Sequence, residues 1–391
     1  MTVVDFIIVG QGLSGTCLAW ELRALGARVM VIDREAAVTS SRIAAGLITP
    51  VTGQRLVKTS RWEELRAAAW EFYRRMENEL GCPLLRDTAM LKVFTSPQER
   101  ESFEKRIRSP EYKGLLEENP ELPEGLSAPL GSCELLQGGQ LDVAAFLVRS
   151  RARFIQEGCY RSGELLLPDD LRLGDEGEAS SDPAVGGADQ ATLAAQKEFR
   201  PPSGKVDVPR WGLRARAVVF CQGIDARSNP WFSNVEFNPA RGEILTVRIP
   251  DWTEHRIIHG SVWIAPVAPF HSSHEPRLFR VGATYDWRSL DSGPTLEGRL
   301  TLVDSLKTLL QLPYEVVDHQ TAVRPILKQL NPVIGLHRRY PQLGYMNGLA
   351  SKGSLQAPFF ARQFASHLVS RTPLEREVDI RYRIPWPLTE S

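Results

Sequence analysis

The sequence predicts an α/β fold: a Rossmann-like domain with a parallel sheet, joined to a β-rich antiparallel part. Three observations predict it. Residues 3–9 and 28–33 are short apolar runs separated by one helical stretch. Gly10-Gln11-Gly12-Leu13-Ser14-Gly15 fills the first junction between them. Residues 242–286 carry successive strand patterns with turns between.

Each element follows from its own residues. VVDFIIV reads as a buried parallel strand ended by Gly10, and Thr16 to Leu25 as a helix with Leu18, Leu22 and Leu25 on one face, stopped by Gly26. Arg28 to Asp33 is the second strand, which completes a βαβ unit. Residues 39–58 read as an ordered, glycine-punctuated loop. From Arg61 to Leu80, Trp62, Leu65, Ala69, Phe72, Met76 and Leu80 recur at helical spacing. Residues 97–131, charged and proline-rich, are expected to be outer helical pieces. Further helices are expected over Asp142–Glu157, Leu296–Leu312 and Ser354–Val369, and a buried strand over Ala215–Cys221. Residues 168–204 are acidic and rich in Gly, Ala and Pro, and read as a surface insertion.

Composition narrows the function. With 42% hydrophobic and 24% charged residues the chain is globular, and 47 basic against 47 acidic residues give no global field for a nucleic-acid backbone. Five separated cysteines without C-x-x-C argue against disulfides and a cysteine-based zinc site. His255 and His259 lie in HRIIHGSVWIAPV, read as a strand, where four residues span ~13 Å and cannot share one ion. His271 and His274 fall in a turn, so no metal is expected. The apolar opening lacks a basic leader and runs into a glycine turn, and no stretch is long enough to span a bilayer. A cytoplasmic, reduced protein is expected.

The glycine motif carries chemistry through its context. Gly10 permits the turn, Gly12 lets backbone approach a pyrophosphate, and Gly15 lets helix pack on strand. The helix N-terminus offers N–H groups and positive partial charge to phosphates. Asp33, eighteen residues after Gly15 at a strand end, can accept from a ribose hydroxyl. A dinucleotide is therefore expected. Further glycine-rich strand ends at Gly223 and Gly348–Gly353 suggest a nucleotide domain built from distant segments, which favours flavin over nicotinamide.

Together with Ser40–Leu47, Val218–Gly223, Pro239–Gly242, Val281–Thr284, Val323-Arg324-Pro325, Pro332–Gly335 and Gly348–Pro358, these motifs run in one order along nearly the whole chain. In this the chain resembles the D-amino-acid-oxidase-like FAD-dependent oxidoreductases, of the glycine oxidase, sarcosine oxidase and tRNA methylaminomethyl-uridine oxidase-domain type. The resemblance implies a glutathione-reductase-2-like flavoprotein. Its FAD-binding domain would comprise residues 1–80, 141–235 and 320–391, and its substrate domain residues 81–140 and 236–319. It implies FAD contacts from Gly10, Gly12, Leu13, Ser14, Gly15, Asp33 and Arg34, and from Ser40, Ser41, Arg42, Ala45, Gly46 and Leu47. Gln222, Gly223, Leu349, Ala350, Gly353, Ser354 and Leu355 complete that set.

The same resemblance implies that Arg324 pairs with a substrate carboxylate and that Trp263 stands where relatives place a tyrosine beside the substrate. Tyr285 and Ser351 would complete the substrate pocket. Lys352, with the helix that follows, would stabilise negative charge on reduced flavin. No cysteine stands where monomeric sarcosine oxidases attach flavin, so non-covalent FAD is expected. Glycine oxidases carry an arginine where this chain has Ser351, and Ser351-Lys352-Gly353 is similar to the Ser-Arg-Gly of the tRNA-enzyme domain. The expected reaction is oxidation of the C–N bond of a small amino acid or secondary amine by hydride transfer to flavin N5. Oxygen or another electron acceptor would restore the flavin. The alternatives are an oxidase of a carboxymethylamino-modified tRNA base, a flavin-binding protein without turnover, and a nicotinamide dehydrogenase.

Overall fold

A computed structural model describes residues 1–174, 205–250, 252–268, 278–291, 293–329 and 331–386. Of the expected insertion at 168–204, residues 175–204 lie outside the described residues, as do His271 and His274. The insertion's flanks meet, since Arg172–Leu173 pairs antiparallel with Val206–Val208.

The opening strand Phe6–Val9 sits inside a six-stranded sheet in the order Tyr160–Ser162, Val29–Asp33, Phe6–Val9, Ala217–Phe220, Leu343–Asn347, Val333–Leu336. All pairings are parallel except the last. Alternate residues of the strands enter different cores, as the two-residue period requires. Phe6 and Ile8 face helices, whereas Ile7 and Val9 pack with Val206, Val208 and Leu213 beneath a small second sheet. On the helical face, Phe72, Tyr73 and Phe146 meet edge to face with ring centroids 5.3–6.0 Å apart. They join Trp62–Leu80 to Val143–Gln156, whose N-cap Asp142 accepts from the Ala145 N–H. The first helix spans Leu13–Ala24, starting three residues before the expected Thr16, because extended Gly12 hands the chain directly into it.

The second large sheet has eight strands in the order Glu315–Arg324, Ala240–Arg248, Leu278–Gly282, Trp263–Pro266, Ile257–His259, Met90–Val93, Ser132–Leu135, Leu116–Glu118. It is antiparallel but for the parallel pair Ile257–His259 and Met90–Val93. Leu302, Leu306 and Leu309 of the helix Leu296–Leu309 cover one face against Leu245, Val247 and Phe279. The expected domain boundary at residue 320 falls inside the strand Glu315–Arg324, which pairs with Ala240–Arg248 along its length.

Three expectations are corrected. HRIIHGSVWIAPV is a hairpin, Ile257–His259 turning into Trp263–Pro266, with the Gly260 N–H donating to the Val262 carbonyl at 2.9 Å. Residues 97–131 hold the expected helical pieces, the α-helix Pro97–Arg106 and the short 3-10 helix Pro110–Tyr112, but also an edge strand, Leu116–Glu118, whose glutamates at 117 and 118 are exposed. The 39–58 loop contains a short helix, Ser40–Ile43, and two-residue strands.

This sheet also buries an ion pair. Lys92 Nζ lies 2.6 Å from Glu99 Oε1, with both side chains at most 3% exposed. Glu99 Oε2 accepts from the Thr95 N–H and hydroxyl, while Ser96 Oγ caps the helix by accepting from the Glu99 N–H. Lys92→Met would strand the carboxylate in the core, at a cost of about 3–5 kcal/mol. Its urea midpoint should fall clearly below wild type, and Lys92→Met/Glu99→Gln should recover much of the loss. A single variant as stable as wild type would show that the carboxylate finds water.

Candidate active site

The C-terminal ends of the parallel strands and the concave face of the eight-stranded sheet enclose one cavity of about 610 Å³. That is a volume typical of cofactor and ligand sites. Every residue expected to touch cofactor or substrate lines it, except Gly15, which lies beneath the turn.

At one end is the glycine turn. Gly10 has φ +101°, and a Cβ there would stand 2.4 Å from the Cys221 carbonyl oxygen. A Cβ on Gly15 would stand 1.9 Å from the Gly10 carbonyl oxygen. The helix Leu13–Ala24 has no side-chain cap and no acidic residue in its first turn, so its positive end faces the cavity. Asp33 Oδ2 accepts from the Gln11 N–H at 2.7 Å, and its other oxygen from the Glu35 N–H at 2.8 Å. Arg34 pairs with Asp225 at 2.8 Å. Burial raises the Asp225 pKa against the pull of Arg34, with Glu164 and Asp33 adding to the rise.

The Ser40–Leu47 wall is pinned from the eight-stranded sheet by Arg280 and from a small three-stranded sheet by Gln140. Arg280 Nη1 donates to the Ile43 and Ala44 carbonyls at 3.0 and 2.7 Å, and Gln140 Nε2 to the Ala45 carbonyl at 3.1 Å. Ser41 Oγ accepts from the Leu13 N–H at 3.3 Å, tying this wall to the glycine turn. Arg42 Nη1 donates to the Ala37 carbonyl at 3.3 Å. Gly46 has φ +73°, and a Cβ there would lie 1.9 Å from the Leu141 carbonyl oxygen.

The third wall is the junction after Leu343–Asn347. Asn347 Nδ2 donates to the Gly223 carbonyl at 2.7 Å, and its Oδ1 accepts from the Gly348 N–H at 2.8 Å. Gln222 is held by the Asn229 amide at 2.9 Å. Gly348 and Ala350 take positive φ, and Lys352 stands at the N-cap of the helix Gly353–Ser370. Burial lowers the Lys352 pKa, and no carboxylate among the described residues offsets it.

Facing these walls, Arg324 closes the end of its strand. Its guanidinium lies against the Gly242 backbone, where a Cβ would come within 2.3 Å of Nη1, and over the Tyr285 ring at 4.2 Å. Nη1 reaches only the Thr284 carbonyl, at 3.3 Å. Burial lowers the Arg324 pKa, and no Asp or Glu among the described residues pairs with it. Trp263 stands on the same sheet face, its ring filling the space above Gly282.

The motifs did not point to Arg280, Gln140 or Arg151, whose Nε donates to Gln11 Oε1 at 3.0 Å. Their partners lie about a hundred residues or more away, and no local signal marks them. Asn347 had one: an asparagine before glycine at a strand end.

The site suits a dinucleotide with a flat ring system. A phosphate-sized approach is open over side-chain-free backbone, an acidic residue ends the second strand, and a long cavity continues to a cationic end. The architecture thus defines a nucleotide-binding flavoprotein class with a second sheet over the cofactor site. The family model for FAD dependent oxidoreductase, DAO, matches residues 5–163 and 187–367. The chain belongs to this FAD-dependent oxidoreductase family, and FAD is its cofactor. Solved structures share the fold. Glycine oxidase from Geobacillus kaustophilus superposes with TM-score 0.71 at 18% identity, covering 96% of each chain. Iminodiacetate oxidase from Chelativorans sp. BNC1 gives 0.69 at 17%, covering 96% of this chain and 98% of that one. L-proline dehydrogenase from P. horikoshii gives 0.68 at 15%, covering 97% of each. A Bacillus subtilis (strain 168) protein described as uncharacterized oxidoreductase YurR is 35% identical over 89 residues, spanning 23% of each chain. Among the described residues there is no His, Cys, Asp or Glu cluster that could hold a metal, and no helix long and apolar enough to cross a membrane.

Gly15→Ala must push the helix off the turn. The variant should keep its far-ultraviolet circular dichroism and lose most of its FAD on gel filtration. Wild-type flavin content would show that this contact does not shape the cofactor site.

Proposed function

We propose that the protein oxidises the C–N bond of a small amino acid or secondary amine, with Arg324 as receptor for the substrate carboxylate. The observation that carries this reading is the half-buried Arg324 guanidinium, turned to the cavity without a carboxylate partner among the described residues. A half-buried cation without a counter-ion is only partly compensated by water, and a bidentate carboxylate is the ligand that matches its fork. FAD, when bound, would accept hydride from the C–H bond beside the neutral amine nitrogen, leaving a protonated imine, and oxygen or another acceptor would take the electrons on.

The chain's own residues bind and orient. Gly242 leaves room for the guanidinium to lie flat, and Tyr285 holds it from the other side. Trp263 walls the cavity on the same sheet face, and Ser351 offers a hydroxyl to its lining. Lys352 and the Gly353–Ser370 helix bring positive charge to the wall where reduced cofactor would carry negative charge. Asp33, Arg34 and the Ser40–Leu47 loop hold the nucleotide end. The flavin is held non-covalently: Cys221, the one cysteine in the lining, is buried and its thiol is pushed far up by desolvation. No histidine is found in the described lining, and its carboxylates Asp33, Glu164 and Asp225 are neighbours at the nucleotide end. The amine therefore arrives deprotonated, without an enzyme base.

Anaerobic mixing with amino acids and N-alkylglycines should bleach the flavin of the purified holoenzyme. Arg324→Ala should lower kcat/KM for carboxylate substrates by about 3 kcal/mol, roughly a hundredfold. An unchanged value would remove Arg324 from the site. In wild type, kcat/KM should rise with pH up to the pKa of the substrate amine. A profile falling over that range would require a protonated substrate instead.

A further inference from the structure

At the rim of the cavity stands a feature that the reaction above uses only in its inner half. Tyr285 is 49% exposed and Trp287 56% exposed, and their rings stack with centroids 5.9 Å apart at 26°. Two large aromatic rings side by side in water forgo burial, so their placement calls for a partner. They are not on a loose loop. Between them, Asp286 exchanges backbone hydrogen bonds with buried Arg241 at 2.8 and 2.9 Å, and its Oδ2 accepts from Arg241 Nη2 at 3.0 Å. Its other oxygen accepts from the Arg288 N–H at 2.8 Å. Residues 285 and 287 alternate about this anchor, and both rings are held out in advance of any ligand.

The inner ring of the pair is also the ring that carries Arg324, 4.2 Å from its guanidinium. Tyr285 lines the cavity, and Trp287 lies one ring further out. A ligand whose carboxylate pairs with Arg324 would therefore pass directly beside an aromatic shelf. We propose that this shelf selects substrates whose amine carries a planar aromatic ring, the ring packing against Trp287 and the exposed edge of Tyr285 while the carboxylate meets Arg324. The proposal rests on the reading of Arg324 given above and adds to it the class of substituent. Offset stacking gives such a ring affinity that an aliphatic group of similar size lacks.

Two ethers that mimic N-substituted glycines but cannot form an imine test it: methoxyacetate, without a ring, and benzyloxyacetate, with one. Binding to the holoenzyme is read by perturbation of the flavin spectrum and by calorimetry. Wild type should bind benzyloxyacetate about tenfold more tightly than methoxyacetate, equivalent to about 1.4 kcal/mol. Trp287→Ala should remove most of that difference and leave methoxyacetate within about twofold, while Trp287→Phe should keep most of it. Cyclohexylmethoxyacetate, bulky but not planar, should bind more weakly than benzyloxyacetate. Equal affinities in wild type, or a ratio unchanged in Trp287→Ala, would overturn the shelf and leave Arg324 as carboxylate receptor standing. Failure of both ethers to bind wild type would overturn both.

Discussion

Positive charge without an internal counter-ion among the described residues, gathered around one cavity, is the constraint on which the rest of this structure turns. The uncapped first turn of Leu13–Ala24, the Gly353–Ser370 helix, Lys352 and Arg324 all face it. Elsewhere the buried carboxylates are paired, as Glu99 with Lys92 and Asp379 with Arg381 show. Leaving these groups open costs stability unless anions arrive from outside. A pyrophosphate at the nucleotide end and a carboxylate at the Arg324 end are the anions that match.

Two sheets share the work of holding that cavity open. The parallel sheet provides strand ends where glycines keep side chains away from the cofactor. The eight-stranded sheet provides a rigid face from which Arg324 and Trp263 project. Arg280 joins the halves, since its guanidinium reaches from the second sheet to two carbonyls of the wall formed by residues 40–47. The wall formed by residues 40–47 and the sheet that carries Arg324 are thus one hydrogen-bonded unit, the preorganisation that the proposed hydride chemistry would need.

Much of this was legible in the sequence because glycine has positional meaning. Gly10, Gly46 and Gly348 each sit where φ is positive, and added side chains there would strike neighbouring atoms, so the motifs that contain them mark the cavity. The apolar runs of the parallel strands were equally plain, since burial on both faces removes alternation. The Ile257–Pro266 hairpin was hidden because strand-like residues continue through its turn, with only Gly260 to break them. The strand Leu116–Glu118 was hidden by edge position, where charged residues are tolerated. Arg280, Gln140 and Arg151 act across chain separations that no local pattern encodes. Tyr285 read as a pocket wall, but that it stacks with Trp287 at the cavity's exposed rim is shown only by the fold.

The most direct test is a crystal structure of the holoenzyme soaked with a small carboxylate such as methoxyacetate. The account predicts FAD along the glycine turn and residues 40–47, with both carboxylate oxygens on the Arg324 guanidinium. An Arg324 turned to solvent or paired with a protein carboxylate, with the ligand elsewhere, would contradict it.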